Sequence, residues 1–232
     1  EGAVGGVINI ITRSPFDGPG TGSLRARAGS YGTSDTGVTA QYRSERVGIG
    51  VAINNLETDG YRDNNQNRQT NGAADVRVLT EGGEIGIKLA TDHQGLRLPG
   101  ARQVQTSAGV NQLATDRRGA QTPLDYSQRN GNRMTVDWQQ RAGSGDFNIG
   151  GGWRSKEQIS YFDFGGFPDY RVADLDVLSF TPRMRWSPEL PGGSHTLVAG
   201  LDWYHWDYRL KRSNSTANIG TPYNTIDAQQ QN

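Results

Sequence analysis

Arginine side chains are concentrated in a long polar segment, residues 93–130. A guanidinium group binds anions through charge-assisted and often bidentate hydrogen bonds, so this segment is a candidate binding loop for an anionic ligand. The alternative interpretation is that the arginines solvate an exposed loop or contact an anionic surface. The candidate ligand-binding residues of the segment are Arg97, Arg102, Arg117, Arg118, Tyr126 and Arg129.

Aromatic side chains form a second candidate contact surface further along the chain. Phe162, Phe164, Phe167 and Tyr170 surround a Gly-Gly pair. Their rings could stack on an aromatic ligand, so Phe164, Phe167 and Tyr170 are also ligand-binding candidates. Such rings are equally expected as anchors at a membrane interface, and the sequence leaves both interpretations open.

One polar run has the spacing of a weak calcium site. Asp63, Asn65 and Asn67 form an Asp-x-Asn-x-Asn pattern whose oxygens could bind the ion. The run lacks the Gly and the distant Glu of an EF-hand loop, so a plain polar loop is the stronger interpretation and no metal site is predicted. No His-Glu-x-x-His or Gly-x-Ser-x-Gly motif occurs. The sequence therefore predicts no catalytic residue and no cofactor, and it indicates that the protein is not an enzyme.

Composition narrows the class of protein. Lys+Arg and Asp+Glu balance at 24 each, which removes the basic character expected of a nucleic-acid binder. Cysteine is absent, so disulfides and thiolate metal sites are excluded. No run of about 18 apolar residues is present, which excludes a helical membrane span. The mean hydropathy of −0.71 is compatible with a β-barrel, whose strands are half polar, and equally with a soluble protein.

The elements that carry these residues show the period-two alternation of strands with two unlike faces. In residues 133–141, for example, Met134, Val136 and Trp138 alternate with polar side chains. Nine such segments between about residues 21 and 212 predict an all-β chain. Pro182 falls inside one of them, where it cannot donate a ladder hydrogen bond, and predicts either a bulge or an error in the register.

The connections between these segments alternate in length, except that the first, near Gly29–Ser34, is short where a long loop would be expected. A rhythm of tight turns and longer polar loops is typical of an antiparallel transmembrane β-barrel with short turns on one side of the membrane. Tryptophans near the ends of the apolar stripes agree with an interfacial girdle. The predicted short turns are 44–46, 81–83, 142–145 and 188–193, and the predicted long loops are 55–67, 93–130, 162–173 and a segment after 212.

The first thirteen residues resemble the segment that ends the plug domain of TonB-dependent outer-membrane receptors. The motif residues are Gly2, Gly5, Gly6, Asn9 and Arg13. The resemblance implies a plug end at residues 1–13, a linker at 14–20, and the N-terminal part of a β-barrel at 21–232. A plugged barrel of this kind has about 22 strands, so the nine strands predict a fragment of the barrel.

The resemblance also implies a function. Receptors of this family take up a scarce solute, such as a ferric siderophore, a similar metal chelate or cobalamin, across the outer membrane of a Gram-negative bacterium. The implied partners are outer-membrane lipid, lipopolysaccharide and TonB, whose contact segment at the start of the plug is not in this sequence. The alternatives are a soluble or surface-exposed β-rich binding or structural protein, and an outer-membrane barrel without a plug. The loop rhythm argues against the first and the plug-end motif against the second.

Overall fold

The structure is a computed structural model that describes residues 14–163, 165–191, 193–218 and 225–231. It is almost entirely β, with one short α-helix (Gln112–Thr115) and one turn of 3-10 helix (Thr106–Ala108). The strands are β1 (Thr21–Gly29), β2 (Thr33–Arg43), β3 (Val47–Thr58), β4 (Asn67–Thr80), β5 (Gly83–Arg97), β6 (Val104–Gln105), β7 (Val110–Asn111), β8 (Tyr126–Ala142), β9 (Gly145–Asp163), β10 (Pro168–Trp186), β11 (Glu189–Leu190), β12 (Gly193–Ser194), β13 (Leu197–Gly200), β14 (Trp203–Ser213) and β15 (Thr225–Gln231). None of the helices among the described residues is long and apolar enough to cross a membrane.

Eleven strands form one antiparallel sheet in the order β1-β2-β3-β4-β5-β8-β9-β10-β14-β15, with β13 also paired to β10. The two remaining pairs, β6-β7 and β11-β12, are small hairpins within connections. The nine predicted strands are all present, the ninth being β13 and β14 together. β15 was not predicted, because its alternation is limited to Ile226 and Ala228 and the rest of the strand is polar.

Several strands extend further than their predicted ends. The predicted loop 162–173 is reduced to residues 164–167, and the predicted loop 93–130 to residues 98–125. The reason is that these strands continue into segments with polar side chains on both faces, where the period-two signal disappears. The connections keep the predicted alternation only in part, because 30–32 and 164–167, on the side of the predicted long loops, are only three and four residues long. One end of the sheet, the tight-turn end, holds 44–46, 81–82 and 143–144, and the opposite long-loop end holds 59–66 and 98–125.

Pro182 produces neither of the predicted irregularities. The pairs Phe180↔Trp203 and Arg183↔Gly200 keep the same register on either side of it. The N–H of Leu201 donates to the carbonyl of Pro182 at 3.0 Å, but proline has no N–H to return the bond. The ladder between β13 and β14 is therefore interrupted by one missing donor, without a bulge.

The sheet has one apolar and one polar face. The register places Ile85 opposite Trp138 and Ile87 opposite Val136 on the same face, since successive side chains point to opposite sides. Among the described residues no hydrophobic side chain is buried, and large apolar side chains of this face remain exposed. The apolar band has nothing within the described chain to pack against, as expected of a surface that faces lipid.

The apolar band crosses the strands obliquely. Leu24 and Ile53 lie in one cross-strand row of the outward face, and the same row reaches Asp176 in β10. On β10 the band has already ended at Leu178, one outward position nearer the tight-turn end. Such an offset is expected when the strands of a barrel are tilted relative to the membrane normal.

The chain that precedes β1 lies on the polar face. Gln41 donates to the carbonyl of Pro15 at 2.7 Å, and Arg43 donates to the carbonyl of Phe16 at 3.0 Å. A Cβ on Gly48 would lie 2.9 Å from Pro15, so glycine is needed for this approach. The polar face is thus the side on which the predicted linker rests. The plug-end residues Gly2, Gly5, Gly6, Asn9 and Arg13 lie outside the described residues, and the domain boundaries stay a prediction.

Candidate functional site

A group of cations lies halfway along β8 and β9 on the polar face. Arg133 stands directly opposite Arg154, and Lys156 and Arg129 follow on the same face toward the long-loop end. We call these four residues the basic patch. Arg133 and Arg154 are exposed, whereas Arg129 and Lys156 are half-buried. Like charges directly opposite each other destabilise a sheet, so the pairing of the two arginines needs a reason outside the strands themselves.

The basic patch is not neutralised by the described residues. Arg129 forms an ion pair with Asp92, with Nε to Oδ2 at 2.9 Å. Within the described part of the chain, Arg133, Arg154 and Lys156 have no ion pair or side-chain hydrogen bond. Several other arginines of the polar face are paired, and the pairs are Arg25–Asp35, Arg77–Asp75, Arg183–Asp202 and Arg212–Asp169. The patch is therefore a local excess of positive charge.

Small residues leave room beside these cations. A shallow cavity of about 330 Å³ is lined by the patch together with Ala90, Gly131 and the carboxylate of Asp92. A Cβ on Gly131 would lie 2.3 Å from Oδ1 of Asp92, so glycine gives this carboxylate the space to cross the strand. Unpaired guanidinium and ammonium groups around an open cavity are suited to carboxylate, catecholate or phosphate oxygens.

Three of the predicted ligand-binding arginines instead hold the long connection 98–125 together. Arg102 is 7% exposed and forms an ion pair with Asp116 at 2.8 Å. Arg117 donates to the carbonyl of Leu113 at 3.3 Å. Arg118 donates to the carbonyl of Tyr61 at 3.1 Å and lies over the Tyr61 ring. Each of the three guanidinium groups has at least one partner within the protein, and their role in ligand binding stays a prediction.

Two residues that were not predicted connect the long loops to each other. Asn64 donates to the carbonyls of Leu98, Thr122 and Asp125 at 2.8–3.2 Å. Arg62 donates to carbonyls of the same connection, those of Pro99, Gly100 and Gly119. Loops 59–66 and 98–125 thus form one hydrogen-bonded unit. Asn64 differs from its neighbours in having a positive φ of 51°. Nothing in the sequence pattern predicts this backbone conformation.

The predicted residues Arg97, Tyr126 and Tyr170 are in strands, not in external loops as predicted. Arg97 ends β5 and lies 5.3 Å from the ring of Tyr126, which begins β8. Tyr126 stacks on Tyr161, which is paired with Tyr170. The register places this row on the same side as the apolar band, because strand residues of one parity share one face. These side chains therefore point away from the basic patch.

The remaining predicted residues give no site. Phe164 lies outside the described residues, and Phe167 is 77% exposed next to β10. Asp63 and Asn65 lie in the connection before β4, whereas Asn67 is the first residue of that strand. The described residues contain no cluster of three or more acidic, histidine or cysteine side chains placed to hold a metal ion. Calcium binding stays a weak prediction.

Comparison with known proteins identifies the fold. No family model matches the sequence, and a comparison with curated proteins finds no match either. Among solved structures, the ferric citrate transporter FecA in its unliganded form superimposes with a TM-score of 0.69 at 13% identity, over 90% of this chain and 32% of that one. The siderophore receptor PiuA from Acinetobacter baumannii gives 0.69 at 10% identity, over 99% and 40%. BauA, the ferric preacinetobactin receptor of the same species, gives 0.68 at 10% identity, over 95% and 35%.

The described strands have the fold of part of a siderophore-receptor barrel. The three solved structures are a ferric citrate transporter, a siderophore receptor and a ferric preacinetobactin receptor. The predicted partial barrel and its resemblance to TonB-dependent receptors are therefore confirmed at the level of the fold. The chain spans between 32% and 40% of the length of these three structures. Identities of 10–13% carry no information about the solute.

Proposed function

We propose that this chain is part of a TonB-dependent receptor in the outer membrane of a Gram-negative bacterium, and that the complete protein takes up an anionic ferric chelate such as a siderophore. The observation that carries the proposal is the basic patch on the face where the preceding segment rests. The fold supports a barrel wall, and the exposed apolar band supports contact with lipid.

The charge of the patch favours a chelate with carboxylate or catecholate oxygens over a solute without net negative charge, such as cobalamin. Arg133 and Arg154 face each other, and the nearby carboxylate of Asp92 is ion-paired with Arg129. An anion that enters between the two arginines therefore removes their mutual repulsion and gains charge-assisted hydrogen bonds. Engagement of TonB through the plug belongs to the complete protein and is part of the same proposal.

The test is uptake of radiolabelled iron by cells that express the full-length protein. Arg133→Gln with Arg154→Gln removes two charges but keeps the strand positions polar. We expect the apparent affinity for an anionic ferric chelate to fall by about tenfold or more, because each lost charge-assisted contact costs on the order of 1.5–3 kcal/mol.

Arg185→Gln is the matched control. Arg185 also lies on the polar face and has no ion pair among the described residues, but it is near the tight-turn end, far from the patch. We expect the control to keep near-normal affinity. Unchanged uptake of every anionic chelate by the double variant would contradict the proposal, and loss of uptake in both proteins would point to a general effect of charge along the polar face.

A further inference from the structure

Two glutamines flank Arg129, the residue of the basic patch nearest the long-loop end. The register places Gln94 of β5 directly opposite Arg129 on one side and Gln158 of β9 directly opposite it on the other. Side chains that face each other in this way on neighbouring strands have Cβ atoms about 4.5–5.5 Å apart, so the three groups form one continuous surface on the polar face. We call Gln94, Arg129 and Gln158 the amide site.

The polar groups of the amide site are available to a solute. Within the part of the chain that the structure describes, the carboxamides of Gln94 and Gln158 form no hydrogen bond. The guanidinium of Arg129 donates through Nε to Oδ2 of Asp92 at 2.9 Å and forms no other bond to the described residues, so its two terminal nitrogens can still donate. Gln94 is half-buried and Gln158 is exposed, which leaves both within reach from the polar face.

The two carboxamides differ from the cations of the basic patch because they also accept hydrogen bonds. A carboxamide has two N–H donors and a carbonyl oxygen, whereas guanidinium and ammonium groups only donate. Catecholate and carboxylate oxygens that bind ferric iron carry no proton, so they only accept. An anionic iron centre therefore satisfies the cations but offers no donor to the Oε1 atoms of Gln94 and Gln158. A solute that engages these atoms must bring N–H or O–H groups of its own.

The distance between the amide site and the facing arginines sets the length of the part that carries these donors. Arg129 precedes Arg133 by four residues on β8, which corresponds to about 13 Å along the strand. The cavity of about 330 Å³ covers this interval, and the carboxylate of Asp92, whose Oδ1 lies over Gly131, adds one more acceptor there. An extended arm of about four residues spans the same length.

We propose that the amide site binds peptide groups, and that the preferred solute is an anionic ferric chelate with a short peptide arm. A peptide group has the same donor and acceptor as a carboxamide, so its N–H can donate to Oε1 of a glutamine while its carbonyl accepts from Arg129 or from a glutamine N–H. The inference rests on the proposed function, because the basic patch holds the iron centre. It adds that Gln94 and Gln158 determine which anionic chelates are preferred.

The test compares two synthetic ferric tris-catecholates, one without an arm and one with an arm of four alanine residues. Quenching of tryptophan fluorescence measures their Kd for the purified full-length protein. We expect the armed chelate to bind about tenfold more tightly, a ratio that two additional hydrogen bonds are sufficient to produce. The same arm with every peptide nitrogen methylated should lose this advantage, because it keeps the carbonyl groups but has no N–H donor.

Gln94→Leu with Gln158→Leu removes both carboxamides, and we expect the armed and armless chelates to bind this variant with equal affinity. Gln139→Leu is the matched control. Gln139 also lies on the polar face of β8 and has no side-chain hydrogen bond among the described residues, but it is near the tight-turn end, so the tenfold ratio should remain. The armless chelate is the internal standard, because its affinity should be similar in all three proteins and reveals a general loss through misfolding.

Equal affinity of the two chelates for the unmodified protein would overturn the inference and leave the proposed function in place. Absence of binding by either chelate would overturn both. A full advantage for the methylated arm, or for the peptide arm in the double variant, would show that the glutamines do not bind peptide N–H groups. A glucosyl arm that binds as tightly as the peptide arm would replace peptide groups by hydroxyl groups and so overturn the inference. The methylated arm needs no substitution, so the inference is decided even where the double variant fails to fold.

Discussion

The half of each long strand near the tight-turn end differs from the half near the long-loop end in the chemistry of its outward face. Near the tight turns, β5 presents Ile85 and Ile87 outward, and β8 presents Val136. Near the long loops, the same face carries polar side chains such as Asn130, which is hydrogen-bonded to Glu157. The turns of the first half are short, whereas the loops of the second are fastened to one another.

Under the proposed placement in a membrane, lipid constrains only one half of the sheet. A side chain that faces hydrocarbon must be apolar, but the outward face beyond the band is free to carry charge. The basic patch begins at the border of the second half, since Arg133 is next to the last apolar outward residue of β8, Met134. The candidate site thus begins where the apolar band ends.

The largest expected effect comes from placing a charge in each half of the same strand. Val136→Arg puts a guanidinium in the apolar band, and Asn132→Arg puts one on the same face four residues further toward the long loops. We expect the first to lower the free energy of unfolding by about 2–4 kcal/mol and the second by about 0–1 kcal/mol. Urea titration of the full-length protein in lipid bilayers measures both. Equal losses would contradict the division of the strands into two halves.

Much of this division could be predicted from sequence, and the missing part has a physical cause. Alternation located nine strands, because one face must be apolar wherever it meets lipid. It placed the starts of β8 and β10 too late, since residues such as Asn130 and Asp174 make both faces polar there. β15 was missed because only Ile226 and Ala228 interrupt its polar sequence.

The candidate sites were less predictable than the strands. The sequence identified Arg133 as a residue of the polar face, but not that it stands opposite Arg154. That requires the register between β8 and β9, which depends on pairing across the whole sheet. The loop arginines were chosen by charge alone, and Arg102 shows why this is insufficient, because its buried side chain is occupied by an ion pair with the exposed Asp116.

An intermediate effect is expected at the fastening of the long loops. Asn64→Asp replaces a donor that serves three carbonyls with an acceptor that repels them, while aspartate tolerates the positive φ of 51°. We expect the free energy of local opening in residues 98–125 to fall by about 1–3 kcal/mol. Hydrogen exchange of the amides in this connection measures the change.

The control for the loop variant is at the other end of the sheet. Ser44→Ala removes the hydrogen bond that Oγ accepts from the N–H of Val47 at 3.1 Å in a tight turn. We expect a loss of about 0.5–1.5 kcal/mol that stays within the turn. Faster exchange throughout residues 98–125 in the serine variant, or none in the asparagine variant, would show that the long loops are not an independent unit.

The smallest expected effect concerns the missing donor in the tight-turn half. Pro182→Val supplies an N–H that can donate to the carbonyl of Leu201, and this hydrogen bond raises the free energy of unfolding by about 0.5–1.5 kcal/mol. Loss of the proline ring also increases the conformational entropy of the unfolded chain, which lowers the free energy of unfolding by about 0.4–1 kcal/mol. The free energy of unfolding should therefore change by less than about 1 kcal/mol. The sharper readout is the new amide of residue 182, which should be strongly protected from hydrogen exchange.

Pro168→Val is the matched control. Position 168 has the same parity on β10 as position 182, but it lies beyond the end of β14 at Ser213. Its new amide should therefore exchange quickly. Equal exchange at the two positions would mean that more than a missing N–H interrupts the ladder between β13 and β14.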